Sequence, residues 1–222
     1  MTIPTAEELS RSPAFQGLVS IGSGVMQAHA AVIREMDADA LHTHQAAAED
    51  VRVQLSALMR DRSEISEREL NRLAELAGLS PASIRTIAER VHTLGTALNE
   101  AFPELQSLEA RTKILLVTDA LRRDEASMAV IKRVAVEAAD DDAYNVCKSK
   151  CLIEFLLALL DAQISAVNRM MACFVLVFPP LVMLCASIMI AIMIYEMDKA
   201  NDEYTECVED CQGADDPVPD QG

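Results

Sequence analysis

The chain of 222 residues has no Trp, only 4 % aromatic residues and only seven Gly. β-Sheets usually draw on aromatic side chains and on glycine-containing turns, so both shortages count against a β-rich fold. The apolar residues make up 51 % of the chain and are mostly aliphatic residues and Met. We therefore expect an all-α protein.

Basic residues are also scarce, and the net charge is −16. Residues 1–139 carry 15 basic and 20 acidic side chains, a difference of −5. Residues 140–222 carry 4 basic and 15 acidic side chains, a difference of −11. Neither part has a basic patch, which counts against general nucleic-acid binding through phosphate neutralisation. An acidic surface also gives no electrostatic attraction to anionic lipid.

The first residues, 1–9, contain neither a basic segment nor an apolar core. We therefore expect no conventional signal peptide, and export would need a dedicated route. Cysteine is missing from the N-terminal part as well, because all six cysteines lie between 147 and 211. Any disulfide framework is confined to that region.

Motifs that carry chemistry are few. No Ser or Cys lies in a recognisable nucleophile context, and Gly22-Ser23-Gly24 lacks the Lys and the spacing of a phosphate-binding loop. His42 and His44, near Asp37 and Asp39, have ligand chemistry but no third ligand at a suitable spacing. The sequence predicts no catalytic residue, no metal site and no cofactor, and we expect a protein that is not an enzyme.

Helix-start signals recur along the N-terminal part. Thr5 with Glu8, and Ser66 with Glu69, fit the capping-box pattern. The acidic run Asp140–Asp142 is the clearest domain boundary. The sequence thus predicts three parts: a soluble helical leader or docking domain at 1–139, a hydrophobic hairpin at 143–211 and a disordered acidic tail at 212–222.

The six cysteines are placed symmetrically about one residue. They form three pairs with a common midpoint at position 179: Cys147 with Cys211, Cys151 with Cys207, and Cys173 with Cys185. Position 179 opens the sequence Pro179-Pro180, and proline breaks a helix because it lacks a backbone donor. If two antiparallel helices meet at this apex, equidistant thiols lie at the same height and form nested disulfides. Six cysteines allow fifteen pairings, so free buried cysteines remain the alternative.

A stripe of acidic, small and polar residues precedes the prolines. Its polar members are Glu154, Asp161, Ser165 and Asn168, on the same helix face as the first two cysteines. If this face meets the partner helix, the polar side chains form an intramembrane stripe and the bulky apolar side chains contact lipid. Alternatively, the stripe is solvated and the Leu-rich face packs on the N-terminal helices.

Residues 170–195 are 26 consecutive residues without a charge. As one helix they would be about 39 Å long, enough to span a hydrocarbon core of about 30 Å. A single span would place the two C-x3-C motifs on opposite sides of the membrane and exclude the outer disulfides. The hairpin and the single span therefore exclude each other.

The outer cysteines Cys147, Cys151, Cys207 and Cys211 resemble those of the twin C-x3-C helical-hairpin proteins of the mitochondrial intermembrane space. The resemblance implies two disulfides between the motifs and import without a cleavable signal. The 55 residues between the motifs are more numerous and more hydrophobic than in that family. Disulfides need an oxidising compartment, so we expect a membrane or secreted location for residues 143–211.

Residues 69–90 resemble a helix-turn-helix signature with Gly78 at its turn. The resemblance implies that the second helix presents Ser83, Arg85 and Arg90 to the major groove. Acidic neighbours depart from that pattern, and a Gly turn is also an ordinary connection between two antiparallel helices. We therefore do not expect nucleic acid as the partner.

The leading hypothesis is a membrane-active protein whose N-terminal helices chaperone or dock a C-terminal effector hairpin. Its architecture resembles a bacteriocin-type precursor, which implies release near Asp140 and permeabilisation of a membrane. The expected partners are the lipid membrane and other copies of the hairpin. Two alternatives stay open: a membrane-tethered regulator or scaffold with a helix-turn-helix-like cytoplasmic domain and one C-terminal span, and a soluble helical oligomerisation module.

Overall fold

The computed structural model describes residues 3–138, 146–173, 176 and 178–214. Within these ranges the chain forms nine α-helices and one short 3-10 helix and contains no strand. The all-α prediction, with a C-terminal helical hairpin and nested disulfides, is confirmed.

The helices follow one another as α1 (Ala6–Ser10), α2 (Pro13–Ile33), α3 (Ala38–Asp61), α4 (Glu67–Ala77), α5 (Pro81–Ala101), the 3-10 helix (Pro103–Gln106), α6 (Ala110–Arg122), α7 (Glu125–Ala138), α8 (Val146–Cys173) and α9 (Pro179–Ala214). Both predicted capping boxes are present, at the starts of α1 and α4. Short polar side chains thus satisfy backbone donors that the first helical turn leaves unpaired.

The end of α4 requires glycine. Gly78 has a φ of 65°, in the left-handed region that glycine adopts without strain. A Cβ on Gly78 would lie 2.5 Å from Cγ2 of Val32 and 2.9 Å from the carbonyl oxygen of Ala28. The absence of a side chain therefore lets the end of α4 lie directly against α2.

The hairpin consists of α8 and α9, which pack along each other and are joined by three disulfides. The bonds are Cys147–Cys211, Cys151–Cys207 and Cys173–Cys185, with Cα–Cα distances of 5.7, 5.8 and 5.6 Å. Two staples lie one helical turn apart at the open end, and the third lies near the turn. We refer to these as the open end and the closed end of the hairpin.

Pro179 and Pro180 start the second helix. α8 ends at Cys173 and α9 begins at Pro179. Proline suits the first helical position because its missing donor is not needed there. The predicted apex at Pro179-Pro180 stays a prediction, because residues 174, 175 and 177 lie outside the described residues.

The N-terminal helices pack on both arms of the hairpin. α9 contacts α2, α3, α4 and α5, whereas α8 contacts α2, α5, α6 and α7. Buried side chains from Leu9 to Ala200 form one continuous hydrophobic cluster. The predicted domain division stays a prediction, and Asp140–Asp142 and residues 215–222 of the predicted tail lie outside the described residues.

The disulfide pattern is open to a direct chemical test. Trypsin can cut at Lys148 and Lys150, between the first two cysteines, and a Glu-specific protease can cut at Glu209, between the last two. Non-reducing digestion followed by mass spectrometry should then link residue 147 to 211 and residue 151 to 207. Links within either C-x3-C motif, or a link from 147 to 207, would contradict the antiparallel register.

Candidate functional site

Asp198 of α9 is a carboxylate with no exposed surface. Its Oδ1 lies 2.6 Å from Nε2 of His29 on α2, and its Oδ2 lies 2.9 Å from Nδ1 of His44 on α3. His29 has no exposed surface, and His44 is 9 % exposed. A buried charge is stabilised only when it is paired and hydrogen-bonded, so the two imidazoles are what allows Asp198 to lie inside the protein.

The remaining ring nitrogens of this cluster differ in their partners. Nδ1 of His29 donates to the carbonyl oxygen of Leu76 at 3.0 Å, because a carbonyl can only accept. One proton is then shared between Nε2 of His29 and Oδ1 of Asp198. Nε2 of His44 is buried and has no hydrogen-bond partner. We call His29, His44 and Asp198 the His–Asp–His cluster.

A second buried polar side chain docks the other arm of the hairpin. Gln163 of α8 has no exposed surface, and its amide nitrogen donates to the carbonyl oxygen of Val19 at 2.9 Å. The same nitrogen lies 3.3 Å from the hydroxyl of Ser23. A Cβ on Gly22 would lie 2.9 Å from both terminal atoms of Gln163. Gly22 of α2 thus makes room for a side chain of the hairpin.

At the surface, α3 and α9 share one more contact. The guanidinium of Arg52 lies 5.6 Å from the ring centroid of Tyr195, within the range of a cation–π interaction. Its nitrogens also donate to both carboxylate oxygens of Glu49 at 2.6 Å. These hydrogen bonds hold the pKa of Glu49 below its usual range. Arg52 thereby holds the outer edge of the contact between α3 and the hairpin.

The predicted polar stripe divides between two environments. Glu154 and Asp161 are exposed, and Glu154 forms an ion pair with Lys150 at 3.8 Å. Ser165 faces the partner helix, where its hydroxyl donates to Oε1 of Glu196 at 3.3 Å. The amide nitrogen of Asn168 donates to a carbonyl oxygen within α8. The buried large apolar side chains of α8 belong to the hydrophobic cluster that α8 shares with α9 and the N-terminal helices.

The segment that resembles a helix-turn-helix is formed by α4 and α5. Arg85 is paired with Glu67, and the hydroxyl of Ser83 lies 2.8 Å from that of Ser80. Arg90 is exposed. Two of the three predicted base-reading side chains therefore have partners within the protein. The expectation that nucleic acid is not the partner stays a prediction that nothing in the fold tests.

The two histidines that the sequence places next to each other, His42 and His44, lie in different environments. His42 is exposed, whereas its neighbour His44 points inward to Asp198 and lies near His29, with ring centroids 5.3 Å apart. His29 and Asp198 are 169 residues apart, so no local spacing indicates their contact. A usable signal was Asp198 itself, which with Glu196 closely follows the uncharged run 170–195.

Both hairpin helices are long and apolar enough to cross a membrane, over Cys147–Cys173 and Pro179–Cys211. A core helix of a soluble protein has the same properties, and 61 % of the most apolar window of α9 is buried inside the protein. Comparison of the chain with protein-family models, curated proteins and solved structures finds no match. The site must therefore be interpreted from its own chemistry.

Replacing Asp198 with Asn should destabilise the folded chain by about 2–3 kcal/mol, because the histidines lose their charged partner in a buried place. Urea unfolding monitored by circular dichroism measures this change. The matched control is Glu203→Gln, on an exposed position of the same helix, where Glu203 pairs with Lys199. That variant should differ from the wild type by at most about 0.5 kcal/mol. Equal effects of the two substitutions would contradict the buried pairing.

Two glycines in α2 allow a comparison within one helix. Gly22→Ala should destabilise the protein by about 1–3 kcal/mol, because the new methyl group displaces the buried amide of Gln163. Gly24→Ala should stabilise it by about 0.5–1 kcal/mol, since nothing lies within 4 Å of a Cβ there and alanine favours the helix. Thermal unfolding of both variants tests this, and a stabilising Gly22→Ala would refute the docking of Gln163.

Proposed function

We propose that this protein contains a membrane-active hairpin, and that its own N-terminal helices cover the apolar surface of this hairpin in water. In its sharpest form it is a bacteriocin-like precursor, in which the hairpin inserts into a target membrane after its release from residues 1–139. The observation that carries the proposal is that every disulfide joins α8 to α9 within the hairpin. The contacts between the hairpin and the N-terminal helices are noncovalent.

The distribution of the disulfides supports a separable unit. All six cysteines of the chain are used in the three bonds between α8 and α9, and none is left to join the hairpin to the N-terminal helices. The hairpin would therefore keep its two arms paired after it leaves the N-terminal helices. The N-terminal helices hold it only by packing and by buried polar contacts, which release can undo.

The polarity along the hairpin supports insertion by the closed end. Residues 170–195 around the closed end carry no charge, whereas residues 196–211 toward the open end carry seven acidic side chains. Phe178, directly before α9, is 55 % exposed. Partial or full insertion needs this polarity, because the uncharged closed end can enter the bilayer while the acidic, disulfide-bonded open end stays in water.

The proposal is tested by controlled release. Asp140–Asp142 is replaced by a recognition sequence for a specific protease, and the full chain is added to dye-loaded phosphatidylcholine vesicles. Cleavage should start dye release, because the apolar closed end is then freed for lipid. The uncleaved chain, and an unmodified chain treated with the same protease, should leave the vesicles intact. Intact vesicles after complete cleavage under oxidising conditions would contradict the proposal.

Two exposed apolar residues provide matched variants for the same assay. Phe178→Lys places a charge at the closed end and should reduce dye release at least about tenfold, since a lysine at membrane depth costs about 2.5–3.5 kcal/mol. Ile153→Lys places the same charge beside the open-end staples, at a residue with similar exposure of 57 %. It should leave dye release nearly unchanged. The reverse order of effects would exclude entry by the closed end.

The burial of much of α9 favours one other function, a soluble helical module whose hairpin is simply its core. In that case the cleaved chain would stay associated and monodisperse without detergent, and it would not bind vesicles. A regulator with one C-terminal span is not favoured, because α8 and α9 are antiparallel arms stapled together at their open end.

A further inference from the structure

The His–Asp–His cluster gathers three potential ligands from three helices. The candidate ligand atoms of His29, His44 and Asp198 all lie within 4.8 Å of one another. α2, α3 and α9 supply one residue each, and all three side chains are buried. Sets of two imidazoles and one carboxylate are ligands that Zn²⁺ and related divalent metals prefer.

The surroundings of His29 orient it as a metal ligand. Its Nδ1 donates to the carbonyl oxygen of Leu76, so the opposite nitrogen, Nε2, is directed at Asp198. Histidines that bind metals usually donate their other N–H to a carbonyl or carboxylate in this way. Leu76 lies two residues before Gly78, where the end of α4 packs closely against α2. The backbone of α4 thus supplies the outer support of the cluster.

His44 supplies the third ligand atom. Its Nδ1 lies 2.9 Å from Oδ2 of Asp198, so Nδ1 is the nitrogen that a metal in the cluster would bind. Its Nε2 is buried without a hydrogen-bond partner, and metal binding through Nδ1 leaves the ring proton on that nitrogen. What supports a metal is the close approach of the three ligand atoms, which lie within 4.8 Å of one another.

We propose that His29 Nε2, His44 Nδ1 and a carboxylate oxygen of Asp198 bind one first-row divalent metal ion of the Zn²⁺ type, which fastens α9 to α2 and α3. The proton that His29 and Asp198 share leaves on binding, and the proton of His44 moves from Nδ1 to Nε2. One proton is released for each metal ion bound. This site does not depend on whether the hairpin enters a membrane.

The cysteines near the open end do not compete for this role in the oxidised chain. Sulfur atoms of Cys147, Cys151 and Cys211 also lie within 4.8 Å of one another, and those of Cys151 and Cys211 are 3.7 Å apart. All of them are bonded in disulfides, and metals bind the thiolate form. Metal binding to reduced thiols would give a different spectrum. Omitting reductant keeps the cysteines in disulfides and so prevents this binding in the assay.

The proposal is tested by titration of Co²⁺, a spectroscopic substitute for Zn²⁺, into the oxidised full chain. We expect one Co²⁺ per chain, with visible ligand-field bands of nitrogen and oxygen ligation and no sulfur charge-transfer band. Zn²⁺ should displace the Co²⁺, and at about a hundredfold excess over its Kd it should raise the Tm by roughly 5–10 °C. Absence of bound Co²⁺, or a sulfur charge-transfer band, would overturn the proposal.

Variants locate the metal. His44→Asn, at the edge of the core, should weaken Co²⁺ binding by at least about a hundredfold, and Asp198→Asn should do the same if it folds. His42→Asn is the matched control, two residues away on the same helix and exposed, and it should bind Co²⁺ like the wild type. Unchanged binding in His44→Asn, or an equal loss in His42→Asn, would also overturn the proposal.

Discussion

A carboxylate inside an apolar helix bundle restricts everything around it. Asp198 has no access to water, so α9 can take its place only where two imidazoles reach its oxygens. Hydrophobic packing alone is non-directional and would tolerate a shift of α9 by a helical turn. The buried pairing does not tolerate this shift, because it would leave a charge unpaired. Gln163 constrains α8 in the same manner at Val19 and Ser23 of α2.

Two kinds of interaction therefore hold the molecule together at different places. Within the hairpin, disulfides fix α9 to α8 and do not depend on the N-terminal helices. Between the hairpin and the N-terminal helices, apolar packing supplies the driving force and the buried polar side chains supply the register. The boundary around the hairpin is therefore crossed only by noncovalent contacts, whereas its two arms are covalently joined. Both the proposed release and the proposed metal act at that boundary.

The sequence predicted the parts that local chemistry determines. The symmetry of the cysteines about Pro179 predicted the hairpin and its disulfides, and capping patterns predicted the starts of α1 and α4. The break between α6 and α7 follows Arg122, where Asp124 accepts from the backbone of Ser127 and starts α7. The His–Asp–His cluster was missed because it is created only when α9 packs on α2 and α3. The three side chains pair because they are buried together, and the hydrophobic pattern of a helix does not indicate that a single polar residue is buried.

The central claim is that the hairpin is a covalently closed unit docked reversibly on the N-terminal helices. Hydrogen exchange of the oxidised full chain, followed by peptide mass spectrometry in increasing urea, measures this most directly. The account predicts that amides of α2 and α3 lose protection at lower urea than those near the staples of α8 and α9. Loss of protection by all helices in one step, at one urea concentration, would contradict a separable hairpin.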